Sequence, residues 1–325
     1  MNEVTTTRVN ELIDPSMHVW HGEVAVYLFL GGLGAGIMVL CGLWVFAWPR
    51  AVRSRALGLL PWAAPVLLSV GMFFLWLDLE NPFNAFRFYF VLRPTSPMSW
   101  GAWILLAIYP ASMLLAWLMT PVAMRETLLK RIETRMPRLG AALERADRWT
   151  SHRTRGISIA NVVLGVGLGI YTGLLLGTMA ARPLWNSAIL GPLFLVSGVS
   201  TGAAFMLLYR LGDDEKRLLG RLDAGLIAVE LGLIAIWLIG LVTGGSASRE
   251  AASLFLGGPW TAAFWTLVVT GGLIAPLAGE IIEQRHRVIP GRLTATLVLI
   301  GGFALRWLLV DAGQHASVIT AFVLP

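Results

Sequence analysis

This chain has little charge, almost no cysteine and no histidine inside an apolar run. Of its 325 residues, 14% are charged and 56% are hydrophobic. A soluble domain carries roughly 25% charged residues, so the deficit points to a polytopic membrane protein. A single cysteine, Cys41, excludes an internal disulfide framework and any multi-cysteine zinc or iron–sulfur site within the chain. The five histidines, His18, His21, His152, His286 and His315, all fall in loops or at the ends of apolar runs. A membrane b-type haem needs axial ligands, usually histidines, presented inside a helical bundle. No haem is therefore expected. His18 and His21 have the i, i+3 spacing of a metal pair, but two ligands near a terminus make a poor site, and no metal is expected. The first twenty-two residues have no basic n-region, and no signal peptide is expected.

Long apolar runs are what the chain has in excess. A spanning helix needs roughly 20 apolar residues. Eight runs qualify, at about 24–47, 57–77, 100–124, 156–180, 187–209, 222–243, 259–279 and 293–310. They lack the ten-residue alternation of barrel strands. The predicted fold class is an all-α integral membrane protein of eight transmembrane helices. Two four-helix bundles are expected, over 24–180 and 187–310, with outer segments at 1–23 and 311–325.

The connecting segments alternate in charge. Nineteen Lys and Arg fall in the 48–58, 125–155, 210–221 and 281–292 loops, against five on the other side. By the positive-inside rule the basic loops are cytoplasmic and both termini lie outside. This asymmetry also accounts for the basic balance without nucleic acid. The 125–155 segment places Leu128, Leu129, Ile132, Met136, Leu139 and Leu143 at helical spacing among arginines. It reads as one amphipathic helix lying on an anionic lipid surface. A weak internal similarity links "YLFLGGLGAG" (27–36) with "PLFLVSGVSTG" (192–202), as expected of a parallel duplication.

Ionisable groups in or beside apolar spans raise functional hypotheses. On this topology Glu23, Asp78, Ser96, Ser99, Trp100, Tyr171, Thr172, Arg182, Asp311 and His315 all approach the outer leaflet. Such a pocket suits a hydrophobic molecule with a polar head, a quinone being the natural candidate. Each residue also has a plainer use. Trp20, Trp100, Trp103, Trp185 and Trp260 suit an interface belt. Ser96 and Ser99 suit helix N-caps, with Pro94 and Pro97 stiffening the approach. Arg182 suits a lipid phosphate, and Asp78 a solvated helix end. Asn161 and Glu230 lie toward the inner half, as a proton path or as packing groups. Glu230 is expected to be the most buried carboxyl, about 12 Å into its helix. The glycines of the first and fourth spans suit close helix packing.

The stretches "YLFLGGLGAG", "LDLENPFNAFRFYFVLRPTSPMSWGAW" and "GIYTGLLLGTMAARPLWNSAILGPLFLVSGVSTGAA" resemble the NrfD family, the membrane subunits of polysulfide-reductase-type complexes. The resemblance covers residues 23–210. It implies a subunit without a redox centre of its own that binds menaquinone or ubiquinone near the outer face. It also implies docking to a ferredoxin-like iron–sulfur subunit, which leads to a catalytic, often molybdopterin, subunit. Carried onto this sequence, the quinone positions are Glu23, Tyr27, Asp78 and Tyr171, supported by Ser99, Trp100 and Arg182. Some relatives have a histidine and an asparagine in helix 1 where this chain has Tyr27 and Glu23. A passive anchor for the iron–sulfur partner and a secondary transporter are the competing readings.

Overall fold

A computed structural model describes residues 20, 22–47, 54–79, 82–90, 93, 95–179, 181–286 and 291–316. His18, His21 and Pro94 lie outside them. Among the described residues every regular element is helical. In chain order these are α1 (Gly22–Ala47), α2 (Arg55–Leu59), α3 (Ala63–Leu77), α4 (Pro97–Met119), α5 (Val122–Arg135), α6 (Pro137–His152), α7 (Thr154–Gly177), α8 (Leu190–Leu207), α9 (Asp213–Thr243), α10 (Ser246–Ser253), α11 (Thr261–Ala263), α12 (Ala275–His286) and α13 (Gly291–His315). A 3-10 turn (Leu60–Trp62) joins α2 to α3, and a second 3-10 segment (Pro82–Tyr89) follows α3. A π-helical stretch (Phe264–Ile274) joins α11 to α12 into one span. Eight of these helical stretches are long and apolar enough to cross a membrane, so the chain is a multi-pass membrane protein. Below, the end carrying Gly22 and His315 is called outer, following the charge asymmetry.

Helix α1 is the axis of the structure. It packs on α3, α7, α8 and α13, and most of its residues are buried. Its glycines make this possible. A Cβ on Gly36 would strike the Gly198 carbonyl of α8, and one on Gly198 would meet the Gly32 backbone. Helices α1 and α8 therefore touch backbone to backbone along Gly32/Gly198 and Gly36/Gly202, running parallel. These are the two segments whose sequences resemble each other. The Phe29 and Phe194 rings, which occupy like places in the two motifs, both flank the Arg306 guanidinium, at 5.8 and 5.3 Å.

The outer ends of the first and last spans are clasped. The Trp20 N–H donates to Gln314 Oε1 (3.0 Å), and Gln314 Nε2 donates back to the Trp20 carbonyl (2.8 Å). Trp185 is fully buried beneath this clasp. It stacks on Trp20 at 5.2 Å and donates to the Leu309 carbonyl. The belt expectation is thus corrected for Trp185: its ring fills the space left by Gly313, where a Cβ would collide with it. Trp100 and Trp103 are exposed, as a belt requires.

Other expectations are also revised. The 125–155 segment is two helices rather than one, because Pro137 begins α6 and forces Met136 out of helical backbone (φ −141, ψ 79). Asp147 ties the pair back to the spans, accepting from Trp117 Nε1 and pairing with Arg125 at 2.9 Å. Pro97 lies not in the approach to α4 but in its first turn, where a missing N–H costs nothing. Ser96 is the N-cap residue without a side-chain cap bond. The buried Ser99 hydroxyl instead accepts the Arg93 N–H (3.0 Å), fastening the preceding loop to the helix. Helix α9 starts at Asp213, so Glu230 lies roughly 25 Å along it by the 1.5 Å rise, not 12.

Candidate functional site

Tyrosine is scarce in this chain, with five residues. Four of them gather where α1, α4, α7 and the 3-10 segment Pro82–Tyr89 meet. Tyr27 of α1 is buried and faces Tyr171 of α7 and Tyr89. Tyr89 in turn lies beside Tyr109 of α4. The Tyr109 hydroxyl is 3.1 Å from Ser69 Oγ of α3, which donates to the Pro65 carbonyl. Desolvation, and secondarily Tyr109, pushes the Tyr89 hydroxyl above its ordinary range, so it remains a neutral donor.

Two glycines shape this space. Gly71 of α3 lies against α1, where an added Cβ would come within 3.3 Å of the Leu30 side chain. Gly101, in the "WGAW" motif of α4, lies directly against the Tyr171 hydroxyl, where a Cβ would overlap it.

Glu23 sits one helical turn outward of Tyr27 on the same face of α1. Its Oε2 is buried and has no hydrogen-bond partner among the described residues. Asp78 ends α3, half-buried, with its backbone N–H on the Phe74 carbonyl. It stands at the rim, two turns beyond Gly71. Trp100 points outward and is 53% exposed.

Arg182 is drawn away from this space. It is buried, and its Nη1 donates to the Gln314 carbonyl (2.7 Å) and to the Ala316 carbonyl (3.4 Å). It satisfies carbonyls at the end of α13 that have no intrahelical donor. Asn161 is likewise engaged. Its Nδ2 donates to the Ala111 carbonyl of α4 and the Ile157 carbonyl of its own helix, 2.8 and 2.9 Å away. Ala111 follows Pro110, a proline inside α4, so Asn161 braces a helix that has lost a backbone bond.

Sequence reasoning passed over Tyr89 and Tyr109. The signal available was composition: few tyrosines, four of them before residue 172. It also passed over an internal polar group in the second half. Arg306 is fully buried and donates to Ser197 Oγ (3.1 Å), the Gly302 carbonyl (2.7 Å) and the Phe194 carbonyl (3.4 Å). Ser197 hydrogen-bonds the Glu230 carboxyl, with Arg306 and Asp223 also nearby. Glu230 and Asp223 are both buried, with almost no exposed surface.

An open cleft of about 290 Å³ lies on another side of α1. It is lined by Trp20, Gly22 and Ala25, with Trp307, Val310, Asp311 and Gln314 opposite. Asp311 accepts from Trp260 Nε1 at 2.7 Å.

These features define a class: a multi-pass helical membrane protein with a tyrosine-lined polar site near one end of its first four spans. The family described as "Polysulphide reductase, NrfD" matches residues 10–318, and the chain belongs to that family. Protein NrfD of Escherichia coli (strain K12) is 31% identical over 307 residues, covering 91% of this chain and 95% of that protein. A polysulfide reductase chain of Wolinella succinogenes is 30% identical over 315 residues, 91% of this chain and 94% of that protein. A selenate reductase subunit of Mesobacillus selenatarsenatis is 29% identical over 333 residues, 94% of this chain and 74% of that protein.

Proposed function

We propose that this chain is the membrane quinone- or quinol-binding subunit of a multi-subunit respiratory oxidoreductase in the bacterial cytoplasmic membrane. Its partners on this reading are a ferredoxin-like iron–sulfur subunit and a catalytic subunit of molybdopterin type. Relatives that are themselves components of polysulfide and selenate reductases support a subunit role. The observation that carries the quinone reading is the convergence of Tyr27, Tyr89 and Tyr171 beside the unpartnered Glu23 oxygen.

The residues fit the group. A quinone, menaquinone or ubiquinone, offers an apolar ring and two carbonyls that need donors. When bound it supplies two-electron, two-proton redox chemistry. The Tyr171 hydroxyl, held against the Gly101 backbone, would donate its O–H into the site. Tyr27 offers a second phenol, buried from water. Glu23 is placed to take or give a proton next to these donors, and Asp78 at the rim can pass it to outer water. Ser99 holds the loop over the site through Arg93.

The test uses the assembled complex. Tyr171→Phe and Tyr27→Phe each delete one donor and keep the ring. Each should cost about 1–3 kcal/mol of head-group stabilisation, roughly a 5–150-fold loss in quinone affinity. Quinone-linked turnover should fall while turnover with an artificial dye at the catalytic subunit persists. Full quinone-linked rates in both variants would leave the chain as a passive anchor.

A further inference from the structure

Helix α9 carries Asp223 and Glu230 seven residues apart, hence on one face and roughly 10 Å apart along the axis. Asp223 is fully buried. Ser200 Oγ of α8 donates to its Oδ1 at 2.6 Å. The carboxyl of Glu280 from α12, also buried, faces it. Asp223 Oδ2 has no hydrogen-bond donor among the described residues. A contact between two carboxyls in a low-dielectric interior holds only with a proton between them. Two ionised groups so placed would repel and would each have lost their hydration.

The position of this pair is as informative as its chemistry. Glu280 stands near the inner end of the span Thr261–Ile282, and Asp223 near the start of the apolar part of α9. Glu230 lies farther outward and is linked through Ser197 to Arg306. Arg306 Nη2 in turn lies against Gly32 of α1, where an added Cβ would come within 2.9 Å of it. The buried polar groups thus form a file across α9, α12, α8 and α13, from the inner end to the middle of the structure. Among the described residues, the charged or titratable groups facing Asp223 are Glu280 and Glu230, and Glu230 is in turn faced by Arg306.

We infer that Asp223 and Glu280 form a proton-holding site that exchanges with the inner face, with Glu230 as the next station outward. Loading is a simple transfer. A hydronium at the inner face loses a proton, an O–H bond forms at Asp223 Oδ2, and water is left behind. Unloading is the reverse, and no electrons move. The site lies in the second half of the chain, apart from the tyrosine cluster, and does not depend on the quinone reading.

Infrared spectroscopy of the purified complex tests this, because a neutral carboxyl has a C=O stretch that an ionised one lacks. At neutral pH the wild type should show such a band, shifted in D2O. Asp223→Asn and Glu280→Gln should each weaken or shift it, and the double variant should abolish it, whereas Glu230→Gln should leave it. Ser200→Ala should move its frequency by deleting the 2.6 Å donor, and this variant serves if the carboxyl variants fail to assemble. In oriented vesicles, lowering the pH on the side of the 125–155 segment should raise the band, and lowering it on the other side should not. Quinone-depleted complex should give the same result, so failure here is separable from failure of the quinone site. The inference is overturned if no exchangeable carboxyl band exists, if the band is unchanged in both single carboxyl variants or ignores Ser200→Ala, or if the opposite face controls it. Displacement of the band by sodium at constant pH would overturn it in favour of a cation site.

Discussion

The Tyr171 hydroxyl occupies the space that a Cβ on Gly101 would fill. The glycine of "WGAW" is therefore a condition for placing the phenol, not a flexible hinge. Gly101→Ala should push the Tyr171 ring out of position, with an overpacking cost of about 1–3 kcal/mol. Quinone-linked turnover should drop at least as far as in Tyr171→Phe, with assembly retained. The paired comparison is the check, since an Ala variant with normal turnover would mean that Tyr171 does not act from this position.

Backbone contact between α1 and α8 makes a harsher prediction. At Gly36 the obstruction is the Gly198 carbonyl, which no rotamer change can relieve. Gly36→Val should prevent stable assembly, seen as loss of the complex from detergent extracts on size exclusion. The same substitution at Gly167, where a side chain meets nothing within 4 Å, should be tolerated.

Arg182 separates a structural role from a ligand role. Its guanidinium holds the Gln314 and Ala316 carbonyls. Arg182→Met should lower the melting temperature in detergent, because a buried carbonyl without a donor costs about 1–3 kcal/mol. Quinone affinity in the surviving folded fraction should be unchanged. A selective loss of affinity without a stability loss would return Arg182 to the site.

Topology can be measured directly. Reporter fusions after residues 55, 140 and 215 should report cytoplasm, and fusions after 90 and 250 the opposite side, as the nineteen-to-five division of basic residues requires. An inverted loop in the first half would move the tyrosine site to the other face.

Absence of haem gives a spectroscopic expectation. With its histidines at span ends or in loops, the purified subunit should show no reduced-minus-oxidised α-band. A stoichiometric signal would contradict the reading of the chain as lacking its own redox centre.

Span number was readable because a helix in hydrocarbon must satisfy its own backbone and present an apolar surface. Both demands are local and are written in eight runs of residues. Glu23, Tyr27 and Tyr171 were reachable in the same way, since each sits a known number of residues from an outer helix end. That Tyr27 faces Tyr171 and Tyr89, while Arg182 turns to Gln314, depends on helix rotation and neighbours. Distance along a span gives depth, not direction.

Asp223 and Glu280 show the limit most clearly. In the sequence they stand at the edges of the runs 222–243 and 259–279, where a carboxylate ordinarily meets water. Depth alone assigns them to the surface. In the structure α9 extends back to Asp213 and α12 on to His286, so helical neighbours cover both residues. The sequence by itself determined the eight spans, the charge asymmetry and the glycine contacts available to α1, because hydropathy, charge and the lack of a Cβ are properties of single residues. Only the tertiary structure decided that two carboxyls meet in its interior and that a guanidinium lies between the phenylalanines of two similar motifs. Those relations are set by which faces of distant helices pack together, and no single run of residues carries that information.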